Sequence, residues 1–171
     1  DLSVHVCLLF NAMLRHSFVP TDFRFGTILP LLKNKHGDPT DLGMYRGITL
    51  APVLSKLLDS VLLVIYGEFL ESDELQFGFK KESSCSHALF SFTESVKYFT
   101  NRGNKVHCAF LDASMAFDKI LHFGLFTKLI ERDVPLAFLR ILVSWYGNLN
   151  CCVIWNSVVG DIFPVKCAEL D

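Results

Sequence analysis

The run Phe110-Leu111-Asp112-Ala113-Ser114-Met115-Ala116-Phe117-Asp118 sets a carboxylate directly behind a hydrophobic stretch. A short strand over Lys105–Leu111 (KVHCAFL), apolar enough to be central in a sheet, would carry Asp112 to the sheet's rim. A carboxylate at the C-terminal end of a strand is open to a divalent cation, for which hard oxygen ligands are suited. An aspartate after a strand also serves as a turn former or as the cap of a following helix, so residue type alone leaves both readings open. The six cysteines offer less: they are scattered, and no CxxC pair is present to hold zinc. Cys85-x-His87 and His107-Cys108 each supply two ligands in a spacing that structural zinc sites seldom use. Buried thiols in a reducing compartment are the better expectation.

The elements that must position Asp112 follow from periodicity. Val4, Leu8, Leu9 and Ala12 fall at helical spacing in a segment ending near Arg15-His16, before a break at Pro20. Phe25–Leu32 (FGTILPLL) is β-rich, but Pro30 makes it an edge or irregular strand. Lys33–Gly43 carries turn chemistry in Gly37, Asp38 and Pro39. Pro52–Leu70 reads as a helix with Leu54, Leu57, Leu58, Val61, Leu62 and Ile65 on a broad apolar face. A second helix over 84–101 has Ala88, Leu89, Phe92, Val96 and Phe99 as a core stripe and Gly103 just past its end. Helices near 122–132 and 135–147 follow, and 151–155 with 161–166 form a hairpin around Asn156–Gly160. This order of helices and strands predicts an α+β or α/β fold.

The 171 residues fit one domain or a piece of a larger one. A hydrophobic share of 51% with 20% charged residues excludes a disordered chain. Sixteen Lys+Arg against eighteen Asp+Glu exclude a basic arm that coats nucleic acid unaided. Sixteen Phe and a mean hydropathy of +0.36 predict apolar surface that another protein covers. Residues 141–160 carry no charge, yet Gly147, Asn148, Asn150, Asn156 and Ser157 interrupt them, so no membrane span is expected. With no basic, apolar and small-residue leader pattern after Asp1, the expected location is intracellular.

The run Ala109–Asp118 (AFLDASMAFD) resembles the first palm motif of reverse transcriptases, in the form carried by LINE-type (non-LTR) retrotransposons. Ile28-Leu29-Pro30-Leu31-Leu32-Lys33 is similar to that family's "IxPxxK", and Tyr45-Arg46-Gly47-Ile48-Thr49-Leu50 to its "YRPISL", continued by Ser55-Lys56-Leu57-Leu58. Gln76-Phe77-Gly78-Phe79-Lys80 resembles "QFGFR", with Gly78 expected to permit a tight turn. Ser144-Trp145-Tyr146 and Phe163-Pro164-Val165 match the stretch before the next palm motif.

The resemblance implies one incomplete reverse-transcriptase domain over 1–171, fingers-like over about 20–104 and partial palm over about 105–171. The implied fold is α+β, part of a polymerase right hand with a small antiparallel sheet. The implied activity is RNA-directed DNA synthesis by a two-metal displacement with Mg²⁺. Asp112 would be the catalytic metal-binding carboxylate, with the backbone carbonyl of Ala113 as companion ligand. Phe117 would crowd the sugar 2′ position, and Asp118 would cap the next helix. Arg46 and Lys33 would meet the nucleotide triphosphate, and Lys35, Lys80 and Lys81 the template strand. An RNA template and a DNA primer are the implied partners.

The chain departs from the family pattern at Met115, where Lys is usual, and at Gly47, where Pro is usual. After Val165 it reads Lys166-Cys167-Ala168-Glu169-Leu170-Asp171 in place of "GVxQG". These residues contain no aromatic-x-Asp-Asp hairpin, and Glu131, Asp133, Asp161, Glu169 and Asp171 do not replace it. One carboxylate cannot fill the octahedral oxygen shells of two Mg²⁺, so the expectation is a chain inactive alone, a retrotransposon polymerase fragment. The rival expectation is a non-catalytic RNA-binding or protein-interaction remnant. Over 20–58, basic residues exceed acidic ones by two, so nucleic-acid binding should be weak and steeply salt-dependent.

Overall fold

The computed structural model describes residues 1–113, 116 and 120–165. It divides into two compact units, Asp1–Phe69 with Phe117–Asp171, and Leu70–Ala116. The expectations for Met115, Phe117, Asp118 and Cys167 lie outside the described residues.

In the first unit, helix α1 (Leu2–His16) starts where the Asp1 carboxylate accepts a hydrogen bond from the Ser3 amide. It ends at Ser17 in a left-handed turn, where the Phe18 amide donates to the Met13 carbonyl and the Ser17 amide to Leu14. The buried residues are Phe10 and Met13, while Val4 and Leu8 are exposed. The helix stands where the spacing of Val4, Leu8, Leu9 and Ala12 predicts it, although these are not the residues it buries. An all-round apolar helix leaves the choice of face to its packing partners.

Strand β1 (Phe25–Leu32) follows a 3₁₀ turn at Thr21–Arg24, and β2 (Tyr45–Leu50) follows the 33–43 loop. Helix α2 runs over Val53–Tyr66; α4 (His122–Glu131) and α5 (Leu136–Tyr146) come after the second unit. The sheet closes with β3 (Asn150–Trp155), β4 (Val158–Val159) and β5 (Phe163–Pro164). Its order is β2-β1-β3-β4, with β5 also on β3.

The sheet is mixed rather than antiparallel, because β1 pairs parallel to β3 and antiparallel to β2. β1 is therefore central, so of the edge or irregular strand expected from Pro30 the edge position is excluded. The parallel ladder stops at Ile28↔Val153, so Pro30 faces a partner only on the β2 side. The Lys33 amide bonds the Met44 carbonyl, and alternation then turns position 30 away from β2. The missing N–H of proline thus falls where no ladder bond is formed. Gly26 sits where the three strands crowd: a Cβ there would lie 2.8 Å from Thr49 Cγ2 and 2.9 Å from Cys151 Sγ.

The expected hairpin forms with a tighter turn. Asn156 and Ser157 both adopt positive φ (48° and 66°), and β4 begins at once. From Ile154↔Val159 to Cys151↔Phe163 the returning strand gains one residue, a bulge separating β4 from β5.

The core lies among α1, α2, α5 and the Thr21–Arg24 turn. Val19, Leu58 and Ile141 are fully buried, with Leu62, Phe138, Phe10 and Phe23 nearby in burial. Of the apolar face expected on α2, Leu58 and Leu62 are buried while Leu54, Leu57 and Ile65 remain exposed. Two polar contacts bind distant segments: in the buried one Ser55 Oγ donates to the Phe23 carbonyl at 2.9 Å, and in the partly buried one the Val19 amide donates to Ser144 Oγ at 3.1 Å. Arg24 is buried too, with one guanidinium nitrogen on the Ser144 carbonyl and its plane near the Phe18 ring. Cys151 and Cys152 are buried as expected of thiols, but Cys7, Cys85 and Cys108 are exposed.

Among its described residues the second unit has one α-helix, α3 (Cys85–Thr100), preceded by turns. It ends as predicted at Gly103, with φ 78° and the Asn104 amide bonded to the Phe99 carbonyl. No residue of α3 is buried, so its Leu89, Phe92 and Phe99 stripe is not core. A lone helix within its unit has no second apolar layer to cover its face. The predicted strand at 105–111 is irregular and exposed. Apolarity drew that expectation, but a strand needs a ladder partner, and the described residues give this run none. No described helix is long and apolar enough to cross a membrane.

Candidate functional site

Asp112 follows the irregular 104–111 stretch in the second unit. The ring of Phe110 meets Phe92 of α3 edge-on at 5.5 Å, and this contact tethers the stretch to the helix. Leu111 is 98% exposed, and Asp112 and Ala113 are exposed after it. The Asp112 carboxylate has no hydrogen-bond or ion-pair partner among the described residues. An unpaired, hydrated carboxylate keeps all its oxygen lone pairs for a cation. Among the described residues no three His, Cys, Asp or Glu side chains come together as a metal cluster.

Lys80 and Lys81 lie in the same unit and are both exposed. Lys80 Nζ reaches the Asp73 carbonyl at 3.4 Å, and Gln76 Nε2 donates to the Gly78 carbonyl. The left-handed residue of this turn is Phe79 (φ 56°), not the Gly78 expected to supply it. Phe79 is also 94% exposed.

Lys33, Lys35 and Arg46 belong to the first unit. Arg46 stands opposite Leu31 across the β1–β2 ladder. Lys33 continues that register two residues on, so Lys33, Leu31, Arg46 and Ile48 share one face by alternation. All four are exposed, so two cations flank an open apolar strip. Lys33 Nζ is held by the Gly43 carbonyl at 2.9 Å. Lys35 sits in the loop between the strands, which is organised by its own polar groups. Asp38 accepts from the Thr40 hydroxyl at 2.7 Å and the Thr40 amide at 2.8 Å, and these bonds hold its pKa below the ordinary carboxylate value. Tyr45 closes the loop by donating to the Pro39 carbonyl and packs its ring 4.9 Å from Trp155.

A recess of this unit is not legible in the sequence. Between α2 and α5 lies a cleft of about 290 Å³ lined by Ala51, Lys56, Asp59, Leu142, Trp145 and Tyr146. Burial, then the charge of Asp59, pushes the Tyr146 phenol above its usual pKa. The Tyr146 ring packs edge-on to His122 at 4.9 Å and to Phe126 at 6.3 Å. The residues come from distant parts of the chain, and only the helix spacing of Lys56 and Asp59 would have hinted at a shared surface.

No protein-family model matches the chain. It is 28% identical over 163 residues to the probable RNA-directed DNA polymerase from transposon X-element of Drosophila melanogaster, covering 91% of this chain and 17% of that protein. It is 28% identical over 152 residues to the RNA-directed DNA polymerase from mobile element jockey of Drosophila funebris, covering 85% and 16%. Against the probable RNA-directed DNA polymerase from transposon BS of Drosophila melanogaster the identity is 26% over 147 residues, covering 83% and 16%. The chain thus spans about a sixth of the length of these curated relatives.

Proposed function

We infer, from a chain homologous to the RNA-directed DNA polymerases of non-LTR retrotransposons, that it forms the fingers-like region and first palm motif of such a polymerase. The observation carrying this reading is Asp112, exposed and without a partner among the described residues, at the end of a hydrophobic run inside the AFLDASMAFD pattern. A carboxylate and the adjacent Ala113 carbonyl suit Mg²⁺ in kind, as hard oxygen donors. They do not suit it in number, because two ions need further carboxylates that the described residues do not bring together. When bound, Mg²⁺ supplies charge neutralisation at the triphosphate and activation of the primer hydroxyl.

This chain's own groups then have separate tasks. Arg46 offers a planar fork and Lys33 a point charge to triphosphate oxygens. Lys35, Lys80 and Lys81 hold template phosphates, and Phe117 fills the space a 2′-hydroxyl would need. Alone, the chain binds nucleic acid weakly and does not polymerise. The exposed Lys33, Arg46, Leu31 and Ile48 face favours this residual binding reading.

Templated primer extension with Mg²⁺ tests the proposal. The expected result is no incorporation by this chain, with a mobility shift of an RNA–DNA hybrid at low salt that Lys33→Ala with Arg46→Ala removes. Incorporation abolished by Asp112→Asn would overturn the inactivity. Absence of any shift at low salt would overturn the binding.

A further inference from the structure

We propose that the cleft between α2 and α5 binds a single nucleobase carrying an exocyclic amine. Its volume, about 290 Å³, lies at the lower end of small-molecule sites and suits one ring system rather than a nucleotide with its phosphates. The walls are Ala51, Leu142 and the half-buried rings of Trp145 and Tyr146, which suit a flat apolar face. Two exposed head groups stand one helical turn apart at the rim, Lys56 as donor and Asp59 as acceptor. Among the described residues neither makes an ion pair, and the Trp145 indole N–H has no hydrogen-bond partner.

This donor and acceptor set discriminates among ligands. A phosphate would be repelled by Asp59, whose charge already disfavours ionisation of the Tyr146 phenol. A hydrocarbon or phenyl side chain would cover the rings but leave Lys56 and Asp59 facing apolar surface. A ring nitrogen beside an exocyclic amine answers both, accepting from Lys56 and donating to Asp59. The cleft uses neither Asp112 nor a metal, so its occupancy is independent of polymerase activity.

The chain's two tryptophans provide the readout. In the ¹⁵N-labelled chain, Trp155→Phe assigns the two indole N–H signals. Titration with adenosine should move the Trp145 signal saturably, with half-saturation at or below about 1 mM, and leave Trp155 in place. Lys56→Met and Asp59→Asn, both at exposed positions, should each weaken binding about tenfold. Uridine, which lacks the amine, should bind correspondingly weaker. A linear, unsaturable shift or joint movement of both indoles would overturn the proposal. So would p-cresol or inorganic phosphate binding as tightly as adenosine, since the occupant would then be an aromatic side chain or an anion.

Discussion

The first unit holds three fully buried side chains at its centre, whereas α3 in the second unit buries none of its sixteen residues. The first unit is the more apolar, with 67 hydrophobic residues of 124 against 20 of 47, yet half of α3's residues are hydrophobic, so composition alone does not explain why none is buried. The first unit brings several helices and a sheet against each other, while the described residues of the second offer α3 no second layer. Burial is a property of arrangement, and a helix without an opposing layer keeps its apolar stripe in water.

That contrast can be broken by truncating each region in turn. Ile141→Ala should cost about 3 kcal/mol in urea unfolding, and Leu89→Ala on α3 less than about 0.5 kcal/mol. Equal costs would show that α3 has a buried face after all. Ser55→Ala should cost about 1–2 kcal/mol, because it leaves the Phe23 carbonyl without its buried donor. Helix ends sharpen the comparison. α3 ends on Gly103, but α4 ends with Asp133 in the left-handed region (φ 54°), where the Val134 amide still bonds the Leu129 carbonyl. Asp133→Gly should therefore raise stability by about 0.5–1 kcal/mol, and Gly103→Ala should lower it by a similar amount. The smallest effect concerns pH. The Tyr146 pKa is raised in the folded chain, so its contribution is complete below the unfolded value of 10.0 and is lost as pH rises through the folded one. Tyr146→Phe should flatten the fall in stability above pH 10 while leaving neutral pH unchanged.

Helix positions were legible because a 3.6-residue period survives without knowledge of partners: α2, α3, α4 and α5 lie close to where periodicity puts them. Which face each buries was not legible. On α2, Leu58 is fully buried while neighbouring Leu57 is exposed, a choice made by elements far away in sequence. Tyr45–Leu50 carries a motif but little strand pattern in sequence, although it is a strand whose pairing fixes where Arg46 stands. Asp112 stands out in the sequence because its signal is local, a carboxylate behind an apolar run, although that run does not form the expected strand. The cleft was not, because Lys56 and Trp145 meet only in the folded chain.

The parallel pairing of β1 with β3 also imposes an order in time. The contacts that fasten this region, Val19 to Ser144 and Arg24 to Ser144, span 125 and 120 residues. At typical synthesis rates roughly 10 s separates the emergence of the two ends of that loop. During that interval β1 can form its hairpin with β2, but its other hydrogen-bonding edge waits for β3. The slow step in folding should then be closure of this long loop rather than growth of any helix. The unpaired edge of β1 is the surface a chaperone would meet first.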